Sequence, residues 1–276
     1  MILVTGAAGN VGGSVVRQLL AAGERVRALT RNPAARLPRG VEVVVGDLAD
    51  PATLAAAFDG VDRMFLFPAL GISAEVAQLA RERGVRRAIV LSSAAIQRAA
   101  PRDNPIVAKH DAVEQAVRTA GLAWTMLRPD TFATNTLAWA PSIRAASVVR
   151  AAYGRAQRNP IHEADVAAVA TAALLEDGHE GAVYLLTGPA SITQAEQAAA
   201  IGHAIGREVR FEELSREQAL AELTTHTARP VAERLLDYLA RSVDRPPHLE
   251  PTVEQVTGRP ARTFAQWAAD HADDFR

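Results

Sequence analysis

Met1-Ile2-Leu3-Val4-Thr5-Gly6-Ala7-Ala8-Gly9-Asn10-Val11-Gly12 opens the chain. An apolar run of strand length meets three glycines spaced G-x-x-G-x-x-G, and Val11 to Leu20 then carries the apolar rhythm of a helix. The stretch reads as strand, turn, helix. A glycine in the tight turn lets the backbone swing back, a second removes the Cβ that would block a pyrophosphate, and a third lets the helix pack close to the strand. Free N–H groups at the helix start then face the phosphates, where the helix dipole favours negative charge. A glycine-rich turn without a ligand is the competing reading, and the strand before and helix after weigh against it. Thr5, Gly6, Gly9, Asn10, Val11 and Gly12 are therefore candidates for holding a dinucleotide.

The next strand carries a second piece of the same site. Arg25 to Thr30 reads as β, and Arg31-Asn32-Pro33 as the turn that ends it. Arg31 stands nineteen residues past Gly12, where a dinucleotide fold places the residue that reads the adenosine ribose. An acid there would accept from the 2′-OH of NAD, whereas Arg suits the 2′-phosphate of NADP, with Thr30 and Asn32 as helpers. The expected cofactor is NADP(H).

Strand and helix then alternate without a break. Val41 to Val45 reads as a buried-type strand ending in Gly46-Asp47-Leu48, and a Pro51-initiated helix runs to Phe58. Val61 to Phe67 is a fourth strand ending at Pro68, Glu75 to Arg83 a helix, and Arg86 to Leu91 a fifth strand ending in Ser92-Ser93. A helix opening at Pro105 leads to a sixth strand, Ala123 to Leu127. This order is that of a parallel sheet wound by right-handed crossovers, with the ligand across the C-terminal strand ends. Asp47, Leu48, Phe67, Pro68, Ser92 and Ser93 occupy those ends and join the cofactor candidates. Asp47 either accepts from the adenine amino group or simply turns the chain.

Past Arg128 the rhythm loosens. Residues 139–158 look like an excursion, Glu163 to Leu175 a helix and Ala182 to Leu186 a late strand; 191–276 is mostly helical with one short strand, Glu208 to Glu212. The expectation is an α/β fold: a Rossmann-like doubly wound parallel sheet over residues 1–130, and a small, mostly helical C-terminal substrate lobe over 131–276, partly interleaved with the sheet.

Composition narrows the function. The 276 residues are 49% hydrophobic, enough for a sizeable core, and 30 basic against 31 acidic residues leave no field for nucleic acid or an anionic membrane. Small molecules are the expected partners, and oligomeric state is not legible. Without cysteine there are no disulfides and no thiolate chemistry, and no two of the seven histidines share a helical metal spacing, so no metal is expected. The chain enters its first strand at once and has no apolar run long enough to span a bilayer, which points to a cytoplasmic protein. Of the 30 basic residues 29 are Arg and one, Lys109, is Lys, a compact and mobile point donor.

The chain resembles the NmrA-like members of the atypical short-chain dehydrogenase/reductase superfamily over nearly its full length. The residues that carry the resemblance are Thr5 to Gly12, the Lys109 helix with Glu114, Leu127-Arg128-Pro129 with Phe132 and Asn135, Asp165-Val166-Ala167, Leu186-Thr187-Gly188-Pro189, and Val253 to Phe264. It implies a nucleotide-binding Rossmann domain with a C-terminal substrate lobe and a ligand cleft between them. Its members include NADPH-dependent reductases of quinones and triarylmethane dyes, reductases in aromatic natural-product pathways, and regulators that sense the dinucleotide without chemistry.

One departure bears on the chemistry. Catalytic relatives in the wider superfamily use Ser with Tyr-x-x-x-Lys, Tyr being the acid for the substrate oxygen. Here the residues four on from Tyr153, Tyr184 and Tyr238 are Gln157, Gly188 and Ser242, so no tyrosine heads that motif. Lys109 resembles the motif's lysine, but Pro105 occupies the tyrosine's place, and the serine's place falls on Ala94, beside Ser93. Hydride transfer survives this loss when the acceptor takes electrons without a simultaneous proton, as quinones, cationic dyes and conjugated aromatic or polyketide-type ketones do. Lys109 is the expected ribose or carbonyl donor and His110 a candidate proton relay, against the reading of His110 as a solvated helix residue. Phe132, Asn135 and Trp139 are the expected walls of an aromatic acceptor pocket, although core packing also explains the two aromatics. Asp165 reads as a first-turn charge. The expected activity is that of an NADPH-dependent reductase, with a dinucleotide-sensing regulator as the alternative.

Overall fold

A computed structural model of the chain describes residues 1–67, 74–97 and 104–276, without the side chains of residues 105 and 106. In chain order the elements are β1 (Ile2–Thr5), α1 (Asn10–Ala21), β2 (Val26–Thr30), β3 (Glu42–Val45), α2 (Ala55–Phe58), β4 (Arg63–Leu66), α3 (Ala74–Glu82), β5 (Arg87–Leu91), α4 (Pro105–Thr119) and β6 (Ala123–Pro129). There follow α5 (Ala140–Ala146), β7 (Val148–Ala151), β8 (Gln157–Arg158), α6 (Glu163–Leu175), β9 (Ala182–Leu186), β10 (Ile192–Thr193) and α7 (Gln194–Ile205). The chain ends with β11 (Arg210–Glu213), α8 (Arg216–Leu223), α9 (Arg229–Arg241), α10 (Thr252–Thr257), α11 (Phe264–Asp270) and α12 (Ala272–Phe275).

These elements form two compact units. The first comprises Met1–Asp130, Glu163–Leu186 and Thr252–Arg259, and the second Thr131–His162, Thr187–Pro251 and Pro260–Arg276. The first unit is a seven-stranded sheet in the order β3-β2-β1-β4-β5-β6-β9. Every pairing in it is parallel. From β1 the chain builds outward to β2 and β3, then returns to place β4 on the other side, so the winding reverses between β1 and β4. A crevice opens at the C-terminal strand ends at such a point.

The core explains the registers. Ile2, Leu3 and Val4 are fully buried because a parallel strand is covered on both faces. Leu3, Leu66, Val90 and Met126 pack with Phe58, Val76 and Val117 into one cluster on the side of α2, α3 and α4. On the sheet's other side α1 packs against α6, where the Gln18 amide donates to the Ala164 carbonyl at 2.9 Å.

Two arginines, one buried and one half-buried, finish helix ends. One nitrogen of Arg27 donates to the carbonyls of Ala56, Ala57 and Asp59, at 3.2, 3.1 and 2.6 Å, and its Nε to Glu42 at 2.8 Å. Arg87 does the same for Ala173, Leu174 and Glu176 at the end of α6. A helix leaves its last carbonyls unpaired, and a planar guanidinium reaches several at once where an ammonium makes only a point contact.

Three local expectations need correction. The strand expected to be buried, Val41 to Val45, lies at the sheet edge, with Val43 44% and Val45 52% exposed. Its apolar run marks β propensity rather than burial. The helix expected from Pro51 to Phe58 breaks into a 3-10 turn, Pro51–Thr53, and α2. The Thr53 hydroxyl donates to the Asp50 carbonyl at 2.8 Å and accepts from the Asp47 N–H at 3.0 Å, tying the first turn to the preceding loop. Beyond residue 190 there are two short strands, β10 and β11, where one was expected.

The second unit is mainly helical. Two small sheets pair β7 with β11 in parallel and β8 with β10 antiparallel. Helices α7, α8 and α11 each start with a capping box, Thr193 with Glu196, Ser215 with Gln218 and Thr263 with Gln266. Its core centres on fully buried Trp267, stacked on Phe264 at 5.1 Å between ring centroids and on His271 at 4.5 Å.

Candidate functional site

The glycine turn lies at the reversal of winding. Gly6 has φ +64°, a left-handed conformation that a side chain disfavours, and a Cβ on it would meet the Cβ and Cγ of Phe67 at 2.9 Å. Thr5 braces the two strand ends: its hydroxyl accepts from the Phe67 N–H at 2.7 Å and donates to the Phe65 carbonyl at 3.3 Å. Gly9 is the N-cap of α1 and donates to the Gly6 carbonyl at 2.9 Å. It brings no side chain to the helix start, and the first turn holds no acid. The first N–H groups of α1 are thus left for an anion, a fit for a dinucleotide pyrophosphate. Asn10 is exposed beside them and Val11 is buried against the sheet.

The other expected cofactor residues line the same edge in strand order. Asp47 follows β3, Arg31 follows β2, Gly6 follows β1, Phe67 follows β4 and Ser92 follows β5. Arg31 is exposed and engages no carboxylate among the described residues. The Asp47 carboxylate accepts from the Ala49 N–H at 3.0 Å, so one oxygen turns the chain. Leu48 is buried and sends its side chain into the core. Phe67, 42% exposed, presents a ring at the turn. Pro68 lies outside the described residues.

Ser92 and Ser93 differ in their partners. The Ser93 hydroxyl accepts from the Ala95 N–H at 3.2 Å and caps a 3-10 turn, Ala94–Ile96. Ser92 is buried and donates to Glu114 at 2.5 Å. Glu114, on α4 and fully buried, also receives Arg128 Nε at 2.9 Å, another Arg128 nitrogen at 2.7 Å and Arg118 at 3.3 Å. Burial raises its pKa, but the hydrogen bonds from Arg128 and Ser92 and the charges of Arg128 and Arg118 outweigh that, so it titrates below the ordinary carboxylate range.

Lys109 and His110 lie one turn before Glu114 on α4, both half-buried. His110 Nδ1 is buried without a hydrogen-bond partner among the described residues. Burial first, and the Lys109 charge second, hold its pKa at about 4 against an opposing pull from Glu114. At that pKa the ring is a neutral imidazole near pH 7.

Phe132, Asn135 and Trp139 belong to the second unit, spread along a 3-10 turn, Ala133–Trp139. Asn135 is exposed, Phe132 half-buried and bridged to Ile161, and Trp139 leans on the cluster around Trp267. Asp165 stands buried in the first turn of α6. Ser92 was an expected cofactor residue, and Glu114 and Arg128 carried the family resemblance, but the joining of the three into one buried cluster was not expected.

Known proteins share this chain's sequence and fold. Residues 6–177 match a family described as NAD(P)H-binding. The chain is 45% identical, over 100% of its length and 99% of the relative's, to a (4-alkanoyl-5-oxo-2,5-dihydrofuran-3-yl)methyl phosphate reductase of Streptomyces griseus subsp. griseus. It is 37% identical to an NAD(P)H azoreductase of Xenophilus azovorans, over 100% and 99% of the two chains. Among solved structures it is similar to an NADPH-dependent quinone oxidoreductase from Escherichia coli, with TM-score 0.80 and 27% identity over 98% and 99% of the chains.

Proposed function

The chain belongs to the NAD(P)H-binding family, in its NmrA-like, atypical short-chain dehydrogenase/reductase group, and we propose that it is an NADPH-dependent reductase of conjugated acceptors. Gly6, Gly9 and the first N–H groups of α1 would hold the pyrophosphate, Arg31 the 2′-phosphate, and Lys109 the ribose or the acceptor's oxygen. When bound, the reduced dinucleotide supplies a hydride.

The observation that carries the acceptor class is α4 itself. None of the three tyrosines stands on it, Tyr184 being bonded to His179 at 2.7 Å on β9, and His110 is neutral. Charge arriving on the acceptor has no strong acid to meet it there, so the acceptor must spread that charge over its own π-system. The names of the relatives fit this requirement: a quinone, an azo bond, and a dihydrofuranone whose ring double bond is conjugated with carbonyl groups. Phe132 and Trp139 are the proposed aromatic walls of the acceptor pocket.

The test is NADPH absorbance at 340 nm against a panel of acceptors. Quinones, azo dyes and 2-acyl butenolides are expected to turn over roughly 10²–10⁴-fold faster than simple aliphatic ketones, the usual worth of an absent general acid. Lys109→Ala should impair all of them, and Lys109→Arg should rescue only in part because its fork is bulkier and fixed. Comparable turnover of aliphatic ketones would refute the acceptor class. Tight NADPH binding with no turnover of any acceptor would instead favour a dinucleotide sensor.

A further inference from the structure

A fully buried carboxylate is costly unless its partners are well placed, and Glu114 has four charge-assisted hydrogen bonds from three side chains. Those partners come from three places. Ser92 is the first residue past β5, Arg128 is the next-to-last residue of β6, and Arg118 is one turn on along α4 itself. Ser92 is in turn bonded through its N–H to the Leu127 carbonyl at 2.6 Å, so the two strand ends are joined to each other as well as to the helix. Glu114 follows His110 by one turn and Lys109 by five residues, a rise of about 7.5 Å along a helix. Any slide or rotation of α4 against the sheet breaks the Glu114 bonds and moves Lys109 with them.

We propose that Glu114 is a positioning residue of the reductase site: its carboxylate locks α4 onto the ends of β5 and β6 and thereby sets where Lys109 stands. The proposal rests on the reading that Lys109 contacts the cofactor or acceptor. Apolar packing of α4 through Val113, Ala116 and Val117 supplies adhesion to the sheet, but apolar contacts are non-directional and do not fix a register. The bidentate Arg128 fork does. The same bonds explain why Ser92, although it stands at a strand end, donates its hydroxyl proton inward to Glu114.

A double-mutant cycle on the full-length protein separates positioning from bulk stability. Glu114→Gln, Lys109→Ala and the double variant are compared by kcat and KM with NADPH and a quinone, well below each variant's Tm. Glu114→Gln is expected to lower kcat about tenfold in the wild type yet less than about twofold in the Lys109→Ala background, because its effect passes through Lys109. A tenfold loss in both backgrounds, or no loss with only a lowered Tm, overturns the proposal. If Glu114→Gln does not fold, Ser92→Ala replaces it, removing one bond and leaving the ion pair. If the wild type binds NADPH without turnover, the reductase reading fails on its own, and the same cycle read as NADPH Kd decides the role of Glu114. Absence of NADPH binding by the wild type overturns both.

Discussion

A Cβ on Gly12 would stand 2.2 Å from the Gly6 carbonyl oxygen, whereas one on Gly9 would meet that oxygen at 3.3 Å and nothing else within 4 Å beyond its own chain neighbours. Two glycines of one motif thus serve different ends. Gly12 lets α1 lie against the turn, and Gly9 keeps the helix entrance open. Gly12→Ala is expected to destabilise the fold by about 3 kcal/mol or more, since the obstacle is backbone and cannot rotate away. Gly9→Val is expected to retain the far-UV circular dichroism and Tm of the wild type while losing NADPH binding by fluorescence titration. Unfolding of Gly9→Val would show that both glycines are structural.

Arg31 stands exposed directly after β2, with no carboxylate of this chain among the described residues to neutralise it. NADPH should therefore bind more tightly than NADH. Arg31→Ala should shrink that preference by roughly ten- to a hundredfold, the loss of one charged hydrogen-bonded pair. Equal affinity for the two cofactors in the wild type would contradict the role given to Arg31.

His110 makes a pH prediction. A histidine whose folded pKa is depressed takes up its proton more readily when unfolded, so its contribution to stability is intact above pH 6.5 and is lost as pH falls towards 4. The wild-type Tm should fall across that window more steeply than that of His110→Gln. Between pH 6.5 and 8 the imidazole does not titrate in the folded protein, and no activity change in that range should depend on it. An NMR titration placing His110 near 6.5 would refute the neutral-imidazole assignment.

In the second unit, Trp267→Ala should cost about 3–5 kcal/mol, the range for removing a large buried aromatic. Phe264, Phe275 and His271 all lose a stacking or edge partner. Urea unfolding is the measurement, and a loss below about 1 kcal/mol would mean the C-terminal helices repack without it.

Much of the first unit is written locally. A glycine turn is a backbone constraint within seven residues, and strand and helix periods repeat over windows of about ten, so the motif from Thr5 to Gly12, the succession of strands and the position of Arg31 are all visible in the chain. Helix α6 shows where local reading stops. Nine of its thirteen residues are buried, around most of its circumference, so its periodicity names no face. Only the fold reveals that residues 163–186 return to the first unit to pack on α1 and add β9 at the sheet edge. The exposure of β3 was hidden for the same reason, because an edge is a property of the finished strand order.

The candidate site divides along that line. The sequence by itself determined the spacing of the glycine turn, the lack of a tyrosine four residues before Lys109 and the single lysine, because each is a matter of which residue stands at which position. Tertiary structure alone decided the burial of His110 Nδ1, which pulls that ring's pKa down, and the bonding of Glu114 to Ser92 and Arg128. Those partners lie 22 and 14 residues away in the chain, at the ends of separate strands. No periodicity links them; they meet because β5, β6 and α4 pack together, and burial then makes their pairing obligatory.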